Sequence, residues 1–295
     1  MKKEELSKYE IIYSDSIEFM GFTLYRIRAL KDFSNVNSGD LGGYICDYEN
    51  LSQYGDAWVS GDAWVSGDAK VSGDAKVYGD AWVYGDVWVF GDALVYGDAR
   101  VYGDARVSGD AKVYGDAKVS GDAKVYGNAR VYGDVWVFGD ALVYGDARVY
   151  GNAKVSGNAR VYGKARVYGD VWVYGDVCVY GDVCVYGNAK VYGDAKVYGN
   201  ARVYGDARVS GDAWVSGDAK VYGQISIITI LDIGRERGCL TMHLDSKIGV
   251  RVTRGCFTGT IEEFLCAVEK THGDNMYGKI YRTAIEMAKI QFEID

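Results

Sequence analysis

The sequence contains no proline, only two histidines and no long apolar run. Proline has no N–H to donate to a strand ladder, whereas glycine, which occurs 40 times, suits recurring tight turns. This composition indicates a repetitive, extended chain. No segment approaches the roughly 18 apolar residues of a membrane span, and the first residues lack the apolar core of a signal peptide. We therefore expect a cytoplasmic protein with no membrane partner.

Cysteine spacing and charge exclude further classes of site. None of the six cysteines stands in a CxxC motif, so neither a disulfide framework nor a zinc site is indicated, and we expect reduced thiols. The net charge is -8, and no segment is a basic arm, so a nucleic-acid partner is not expected. The six cysteines are Cys46, Cys178, Cys184, Cys239, Cys256 and Cys266.

A six-residue repeat fills more than half of the chain. Residues 55–222 follow the pattern G-[DN]-[AV]-x-V-[YSF] in 28 hexads without insertion, with Lys164 replacing Asp or Asn once. Strand alternation places Ala57 and Val59 on one face of the first hexad and Trp58 on the other. Gly61 and the Asp that follows it would form the corner, because glycine accepts positive φ and Asp tolerates the left-handed region.

Such short strands cannot bury a face alone, so successive coils must stack and pair in parallel. The motif V-x-G-[DN]-A-x resembles the hexapeptide repeat of left-handed β-helix proteins. That resemblance implies three hexads per coil, about 9 coils and a left-handed turn. The predicted fold is mainly β: an N-terminal β cap and entry coil (1–54), a left-handed parallel β-helix (55–222) and a small C-terminal α+β domain (223–295).

The N-terminal cap is predicted to contain a strand pair in residues 17–33, around Gly21. Residues 39–54, GDLGGYICDYENLSQY, read as an irregular first coil. This segment resembles the entry segment of bacterial and prophage hexapeptide-repeat proteins, some of which are described as acyltransferases.

The C-terminal domain is predicted to contain three strands, 225–231, 239–244 and 248–252, followed by two helices. Thr260 and Glu263 form a capping box for a helix that reaches about Lys270, and Asp274 would cap the second helix. Its GCFTGTIEEF and THGDN stretches resemble C-terminal modules of phage and prophage repeat proteins. The expected apolar face of the second helix comprises Tyr277, Ile280, Tyr281, Ala284, Ile285 and Ala288.

No catalytic, cofactor or metal site is predicted. The hexapeptide acyltransferases that the repeat resembles use a histidine as general base, beside a loop that protrudes from the helix. The repeat here contains no histidine, because His243 and His272 both follow it. It also contains no insertion that could form such a loop. Cys256 and His272 could form a reactive pair, but a loop histidine beside a small cysteine is the simpler interpretation.

The aromatic residues are the most informative surface feature. Every tryptophan occupies the outward position of a hexad, and 18 hexads end in Tyr. Two interpretations stay open: stacked rings that cover the ladder, or a surface that binds a protein or ligand. Cys178 and Cys184 are one hexad apart, so they should lie on different faces. The tryptophans are Trp58, Trp64, Trp82, Trp88, Trp136, Trp172 and Trp214.

An internal duplication argues against a single fixed site. The 18 residues 86–103 recur identically at 134–151, an offset of eight hexads, so the copies should fall on different faces of a three-hexad coil. This favours a noncatalytic scaffold or interaction protein, and the resemblances described above imply a phage or prophage origin. We expect a protein partner or self-association into an oligomer, with specificity carried by exposed charges such as Arg251 and Arg254. The alternatives are an acyltransferase-like enzyme and a ligand-sequestering or host-directed inhibitor.

Overall fold

A computed structural model describes residues 7–19, 21–222 and 226–294. The chain divides into two compact units, residues 1–152 and 153–295. The first unit contains a short 3₁₀ turn (Tyr48–Asn50) and nineteen strands in its described residues. In chain order these are β1 (Tyr9–Phe19), β2 (Phe22–Ala29), β3 (Leu41–Ile45), β4 (Trp58–Val59), β5 (Trp64–Ser66), β6 (Lys70–Val71), β7 (Lys76–Gly79), β8 (Trp82–Gly85), β9 (Trp88–Val89), β10 (Leu94–Gly97), β11 (Arg100–Gly103), β12 (Arg106–Val107), β13 (Lys112–Tyr114), β14 (Lys118–Val119), β15 (Lys124–Tyr126), β16 (Arg130–Tyr132), β17 (Trp136–Val137), β18 (Leu142–Tyr144) and β19 (Arg148–Tyr150).

The second unit contains repeat strands, a four-stranded antiparallel sheet and two helices. In chain order these are β20 (Lys154–Ser156), β21 (Arg160–Gly163), β22 (Arg166–Gly169), β23 (Trp172–Gly175), β24 (Cys178–Gly181), β25 (Cys184–Gly187), β26 (Lys190–Gly193), β27 (Lys196–Val197), β28 (Arg202–Tyr204), β29 (Arg208–Val209), β30 (Trp214–Val215), β31 (Lys220–Tyr222), β32 (Ile227–Ile233), β33 (Gly238–Asp245), β34 (Gly249–Arg254), β35 (Phe257–Gly259), α1 (Ile261–His272) and α2 (Met276–Phe292).

Parallel pairing between strands three apart defines the coil. In the first unit Val95 on β10 pairs with Val77 on β7 and with Val113 on β13, a step of 18 residues or three hexads. The three sheets of that unit run β1-β2-β3-β5-β8-β11-β14-β17, β4-β7-β10-β13-β16-β19 and β6-β9-β12-β15-β18. The second unit repeats the pattern as β20-β23-β26-β29, β21-β24-β27-β30 and β22-β25-β28-β31. The predicted parallel β-solenoid is confirmed.

The interior follows from strand alternation. Every Ala or Val at the third and fifth positions of a hexad is 0% exposed, from Ala57 and Val59 to Ala219 and Val221. Each hexad therefore contributes two apolar side chains, Ala or Val and then Val, to the core, as the parity argument predicts. The left hand of the coil and the domain boundaries at residues 54 and 222 stay predictions.

Glycine alone supplies the left-handed backbone at the corners. The corner glycines have φ between 60° and 90°, and Gly109, at 65°, is typical. A Cβ on Gly109 would lie 3.1 Å from the backbone nitrogen of Gly127, one coil away. No corner Asp adopts positive φ, because among described residues the non-glycine cases are confined to Ser34, Asp232, Arg237 and Glu293. The expectation that Asp would share this conformation was wrong.

The N-terminal segment covers the beginning of the first unit. Strands β1 and β2 form an antiparallel hairpin that turns at Gly21, where φ is 83°. The hairpin begins at Tyr9, earlier than residue 17 where the sequence analysis placed it. β3 then pairs in parallel with β5, and Leu51 forms a parallel bridge with Val71. Residues 39–54 therefore stack as an irregular first coil, as expected.

The C-terminal sheet and helices largely match their prediction, with three corrections. β35 was not predicted. Asn275, and not Asp274, caps α2, because its side chain accepts a hydrogen bond from the Gly278 backbone while Asp274 binds Arg282. Ile280 is 39% exposed and lies off the core face. The capping box of Thr260 and Glu263 is present at the start of α1. Within the described part of the chain, no helix is long and apolar enough to cross a membrane.

Candidate interaction surfaces

Three aromatic pairs project from the solenoid surface. Trp88 is 47% exposed and Phe90 38%, and the duplicated residues Trp136 and Phe138 are 41% and 38% exposed. In the second unit Trp172 and Tyr174 are 42% and 38% exposed. In each pair two outward positions, two residues apart, both carry an aromatic ring. We call Trp88/Phe90, Trp136/Phe138 and Trp172/Tyr174 the exposed aromatic pairs.

The two copies of the duplicated block face different directions. Trp88 lies on β9, in the sheet β6-β9-β12-β15-β18, whereas Trp136 lies on β17, in the sheet that begins with β1. An offset of eight hexads moves the block by two full coils plus two sheets, so the predicted change of face is confirmed. The same rule separates Cys178 on β24 from Cys184 on β25, which belong to different sheets.

Cations from neighbouring coils lie over the exposed tryptophans. The Arg106 guanidinium is 5.7 Å from the Trp88 ring centroid, and Nζ of Lys118 is 4.5 Å from that of Trp136. Each of these cations lies one coil, or 18 residues, from its ring. Such contacts contribute about 0.5–1 kcal/mol at an exposed site. The outer surface therefore offers flat rings bordered by positive charge.

The prediction that all seven tryptophans are exposed was wrong for Trp58, which is 4% exposed. Its ring is covered by Phe33, at 5.4 Å between centroids, and by Tyr9, at 6.3 Å. These residues come from the N-terminal segment, which lies over the first coil. Parity placed Trp58 on the outer face correctly, but a more distant part of the chain buries that face.

Three further tryptophans are only half-exposed. Trp64 and Trp82 stack on each other at 5.1 Å, and Phe19 of β1 meets both edge-on at 4.6 Å. In the second unit, the backbone N–H of Trp214 donates to Oγ1 of Thr241 in the C-terminal sheet. The signal that marks the exposed pairs is present in the sequence: each hexad reads D-V-W-V followed by Phe or Tyr. The tryptophans of these pairs belong to the predicted interaction residues, whereas Phe90, Phe138 and Tyr174 do not.

The tyrosines form continuous stacks. From Tyr78 to Tyr150, every eighteenth residue is Tyr, with ring centroids 4.7 to 4.9 Å apart and planes within 5° of each other. Burial raises the pKa of the Tyr78, Tyr96 and Tyr114 hydroxyls, because the charged form would be poorly solvated. Stacking therefore accounts for these tyrosines. It also engages Tyr174, which lies 5.1 Å from Tyr192, whereas Trp88, Trp136 and Trp172 retain accessible ring surface.

The corner carboxylates form columns and no metal centre. Hydrogen bonding with Asp104, then burial and the charges of Asp104 and Asp68, raise the pKa of Asp86. Where Asn replaces Asp the repulsion is relieved, because Nδ2 of Asn128 donates to Asp146 at 2.9 Å. In the described residues, no group of three or more His, Cys, Asp or Glu side chains could hold a metal ion.

Arg251 and Arg254 are not the freely exposed charges that the sequence analysis expected. The Arg251 side chain is 18% exposed and donates from Nε to the buried carboxylate of Asp245 at 2.9 Å. Arg254 donates to the Tyr281 hydroxyl at 3.1 Å and to the Ile233 carbonyl at 3.0 Å. Both arginines thus hold the C-terminal module together. Their role in partner binding stays a prediction.

The C-terminal histidines and Cys256 do not assemble a reactive centre in the described structure. Cys256 is exposed, while the His272 ring packs 5.6 Å from Tyr281 and 6.0 Å from Tyr277, and no hydrogen bond joins the two. His243 is completely buried, and its Nε2 has no partner among the described residues. Burial lowers the pKa of His243 to about 4.

The fold and the surface together define a parallel β-solenoid repeat protein whose outer faces carry aromatic and charged side chains. The repeat is similar to the family described as YdcK beta solenoid repeat, which matches residues 99–115, 123–139, 147–163, 153–169, 195–211 and 201–217. No curated protein matches the sequence. One similar solved structure is the UDP-N-acetylglucosamine acyltransferase of Francisella novicida, at 12% identity and a TM-score of 0.25, covering 74% of this chain and 88% of that chain.

Proposed function

We propose that this protein is a noncatalytic β-solenoid scaffold that binds a protein partner through its exposed aromatic pairs, with the C-terminal module adding specificity. The observation that carries the proposal is the exposure of Trp88, Trp136 and Trp172, at 47%, 41% and 42%. A phage or prophage origin belongs to the same proposal and is supported by the resemblance of the entry segment and of the GCFTGTIEEF stretch.

Tryptophan, tyrosine and arginine dominate the binding energy of protein interfaces, because they combine large flat surfaces with a polar group. The exposed aromatic pairs reproduce that chemistry, with Arg106 over Trp88 and Lys118 over Trp136. The tryptophan of each pair lies on a strand of a regular sheet, which holds the ring in place and lowers the entropy lost on binding.

Two equivalent pairs in one unit favour a multivalent scaffold. Trp88/Phe90 and Trp136/Phe138 have identical sequence surroundings and lie on different sheets of the first unit. One solenoid can therefore present the same feature in two directions. Such an arrangement increases avidity for a repeated or oligomeric partner without new contacts.

An acyltransferase would need a positioned general base. The repeat contains no histidine. The buried position of His243 and the packing of His272 against Tyr277 and Tyr281 suit structural roles better than proton transfer to a substrate. The proposal therefore assigns no catalytic residue.

The test compares capture of bacterial proteins by the wild type and by two double variants, Trp88→Lys with Phe90→Ser and Trp136→Lys with Phe138→Ser. Lys and Ser occupy these same positions in other hexads, such as Lys70 and Ser72, so the fold should be kept. Tyr114→Ser, inside a tyrosine stack, is the matched control. We expect the wild type and the control to capture a specific partner. At least one of the double variants, which lack a tryptophan and a phenylalanine, should capture at least tenfold less of that partner.

The enzyme alternative is measured in parallel by titrating the wild type with acetyl-CoA. Tight acetyl-CoA binding with turnover of an amine acceptor would refute the noncatalytic reading. Capture of the partner by both double variants at the level of the wild type would refute the assignment of binding to the aromatic pairs.

A further inference from the structure

Helix α2 carries a second apolar face that its own module does not cover. Met276, Ile280, Met287 and Ile290 are 63%, 39%, 44% and 80% exposed, and Thr283 between them is also exposed. Their spacing is 4, 3, 4 and 3 residues, the pattern of a coiled-coil seam. We call these five residues the α2 seam.

The α2 seam is distinct from the face that packs onto the module. Tyr281, Ala284, Ile285 and Ala288 are at most 6% exposed and belong to the core under the antiparallel sheet. At 100° per residue, the α2 seam lies more than a third of a turn from that core face. One side of the helix thus stabilises the module while the other presents large apolar side chains to solvent.

The neighbouring helix α1 does not cover the α2 seam. It meets α2 along the side of Tyr281 and Arg282, where Phe264 packs 5.5 Å from the Tyr281 ring and Arg282 donates to the Glu269 carboxylate at 3.0 Å. Met276, Lys279, Ile280 and Thr283 line a shallow open depression at the beginning of the helix. The α2 seam is therefore open within the part of the chain that the structure describes.

We propose that the α2 seam binds the α2 seam of a second copy of this chain, with the two helices antiparallel. The 4-3-4-3 spacing is self-complementary in that direction, because Ile280 would face the partner's Ile290 and Thr283 the partner's Met287. A two-fold axis near the middle of the helix generates both contacts twice, as an isologous dimer requires.

The charges beside the α2 seam select this occupant and direction. Lys279 lies in the first turn of α2 beside the α2 seam, and Glu293 is the C-cap residue just past the last turn. Neither forms an ion pair within the described chain. In the antiparallel dimer, Lys279 lies beside the partner's Glu293, and the pair occurs twice. A parallel dimer would place Lys279 beside the uncharged side chain of the partner's Ala284. Opposite charges at the two ends of one helix therefore favour a second, inverted copy.

The size of the interface predicts a weak dimer. Seventeen helical residues extend about 26 Å, so the contact is smaller than the ~800 Å² per partner of a standard stable interface. Glu286 also approaches the partner's Glu286 near the axis, which opposes association at low salt. We expect a dimer that forms in the micromolar range and depends on protein concentration.

Sedimentation equilibrium of the full chain, from about 1 µM to about 500 µM, tests the proposal. The wild type should shift from the monomer mass toward twice that mass. Ile280→Glu with Ile290→Glu should remain monomeric throughout. Leu231→Glu is the matched control, because Leu231 is an apolar residue of the same module, 51% exposed on β32, and lies outside the α2 seam. It should dimerise like the wild type.

Charge reversal tests the direction of the helices. Lys279→Glu and Glu293→Lys should each weaken the dimer several-fold, and the double variant should recover most of the loss, because the exchanged charges again lie opposite each other. A wild type that stays monomeric at every concentration would overturn the proposal. A dimer that survives Ile280→Glu with Ile290→Glu would also overturn the proposal. The proposal would fail as well if the α2 seam bound a different protein while the wild type remained monomeric. These experiments use neither the aromatic pairs nor their partner, so they can fail while the proposed function holds.

Discussion

Asp245 and Arg251 form an ion pair across the turn between β33 and β34, and the Asp245 carboxylate of this pair is buried. The Asp245 side chain is 0% exposed, and its carboxylate accepts a hydrogen bond from Nε of Arg251 at 2.9 Å. Burial alone would raise the pKa of Asp245, but the Lys247 backbone N–H and the Arg251 guanidinium outweigh it and hold that pKa below its usual value. The pair lies where the C-terminal sheet meets the last coil, because Arg251 also packs against Gly217.

Replacing Arg251 with Ala should destabilise the C-terminal module by about 3 kcal/mol, because the buried Asp245 carboxylate would lose its cation. Urea unfolding followed by circular dichroism at pH 7 measures the change. Arg235→Ala is the control, since Arg235 is exposed, and it should shift the free energy of unfolding by less than about 0.5 kcal/mol. Equal effects of the two substitutions would contradict a structural role for Arg251.

The buried His243 should make the module less stable as the pH falls. Its pKa is about 4 in the folded chain against 6.5 for a free histidine, so the unfolded chain binds more protons between these values. Above pH 6.5, His243 does not lower the free energy of unfolding. As the pH falls from 6.5 toward 4, the free energy of unfolding decreases by on the order of 3 kcal/mol. The loss from Asp245 comes at lower pH, below its unfolded pKa of about 3.9.

Urea unfolding at pH 7, 6 and 5 measures this slope. His243→Gln should remove most of it, because glutamine does not titrate. A wild type whose free energy of unfolding is equal at pH 7 and pH 5 would show that His243 is not held neutral by burial.

The interior parity of the solenoid predicts opposite results for two neighbouring residues. Val125 is 0% exposed and pairs with Val107 and Val143, whereas Lys124 points outward and is exposed. Val125→Asp should cost several kcal/mol, because an unpaired carboxylate enters a dry core, and Lys124→Asp should cost little. The thermal unfolding midpoints of the two variants show which of the two side chains faces the core. Similar midpoints would contradict the assignment of Val125 to the interior and Lys124 to the surface.

Corner glycines should be more sensitive to substitution than the glycine of the hairpin. Gly109 and Gly21 both have positive φ, but a Cβ on Gly109 would crowd the Gly127 backbone at 3.1 to 3.3 Å, whereas a Cβ on Gly21 meets nothing within 4 Å. Gly21→Ala should cost about 1 kcal/mol of backbone strain, and Gly109→Ala should cost more because the coils must also separate. Equal losses in thermal unfolding would show that coil stacking does not constrain the corner.

The sequence predicts the solenoid because its period, parity and corners depend on residues within one hexad. Ala57, Val59 and their equivalents face inward for reasons visible in any six residues. The capping box of Thr260 and Glu263 is equally local. Local patterns fix these features, although the choice between the adjacent cap residues Asp274 and Asn275 was wrong.

Contacts that depend on how separate strands or segments pack together could not be predicted in this way. Trp58 is buried because Phe33 lies over it, and Arg251 is half-buried because Asp245 faces it across a hairpin. No local pattern reports either contact. The same reason explains why Ile280 was assigned to the core: both faces of α2 are apolar, and only the packed structure shows which face meets the sheet.

The most direct test of the central claim is hydroxyl-radical footprinting of the full chain, with and without its captured partner, read by mass spectrometry. Tryptic cleavage separates the duplicated blocks, because Lys76 and Arg130 precede them at different distances. In the free protein, Trp88, Trp136 and Trp172 should be oxidised readily and Trp58 slowly. In the complex, oxidation of at least one exposed aromatic pair should fall severalfold. Unchanged oxidation at all three pairs, with protection confined to residues 226–294, would contradict the claim that the outer faces of the solenoid bind the partner.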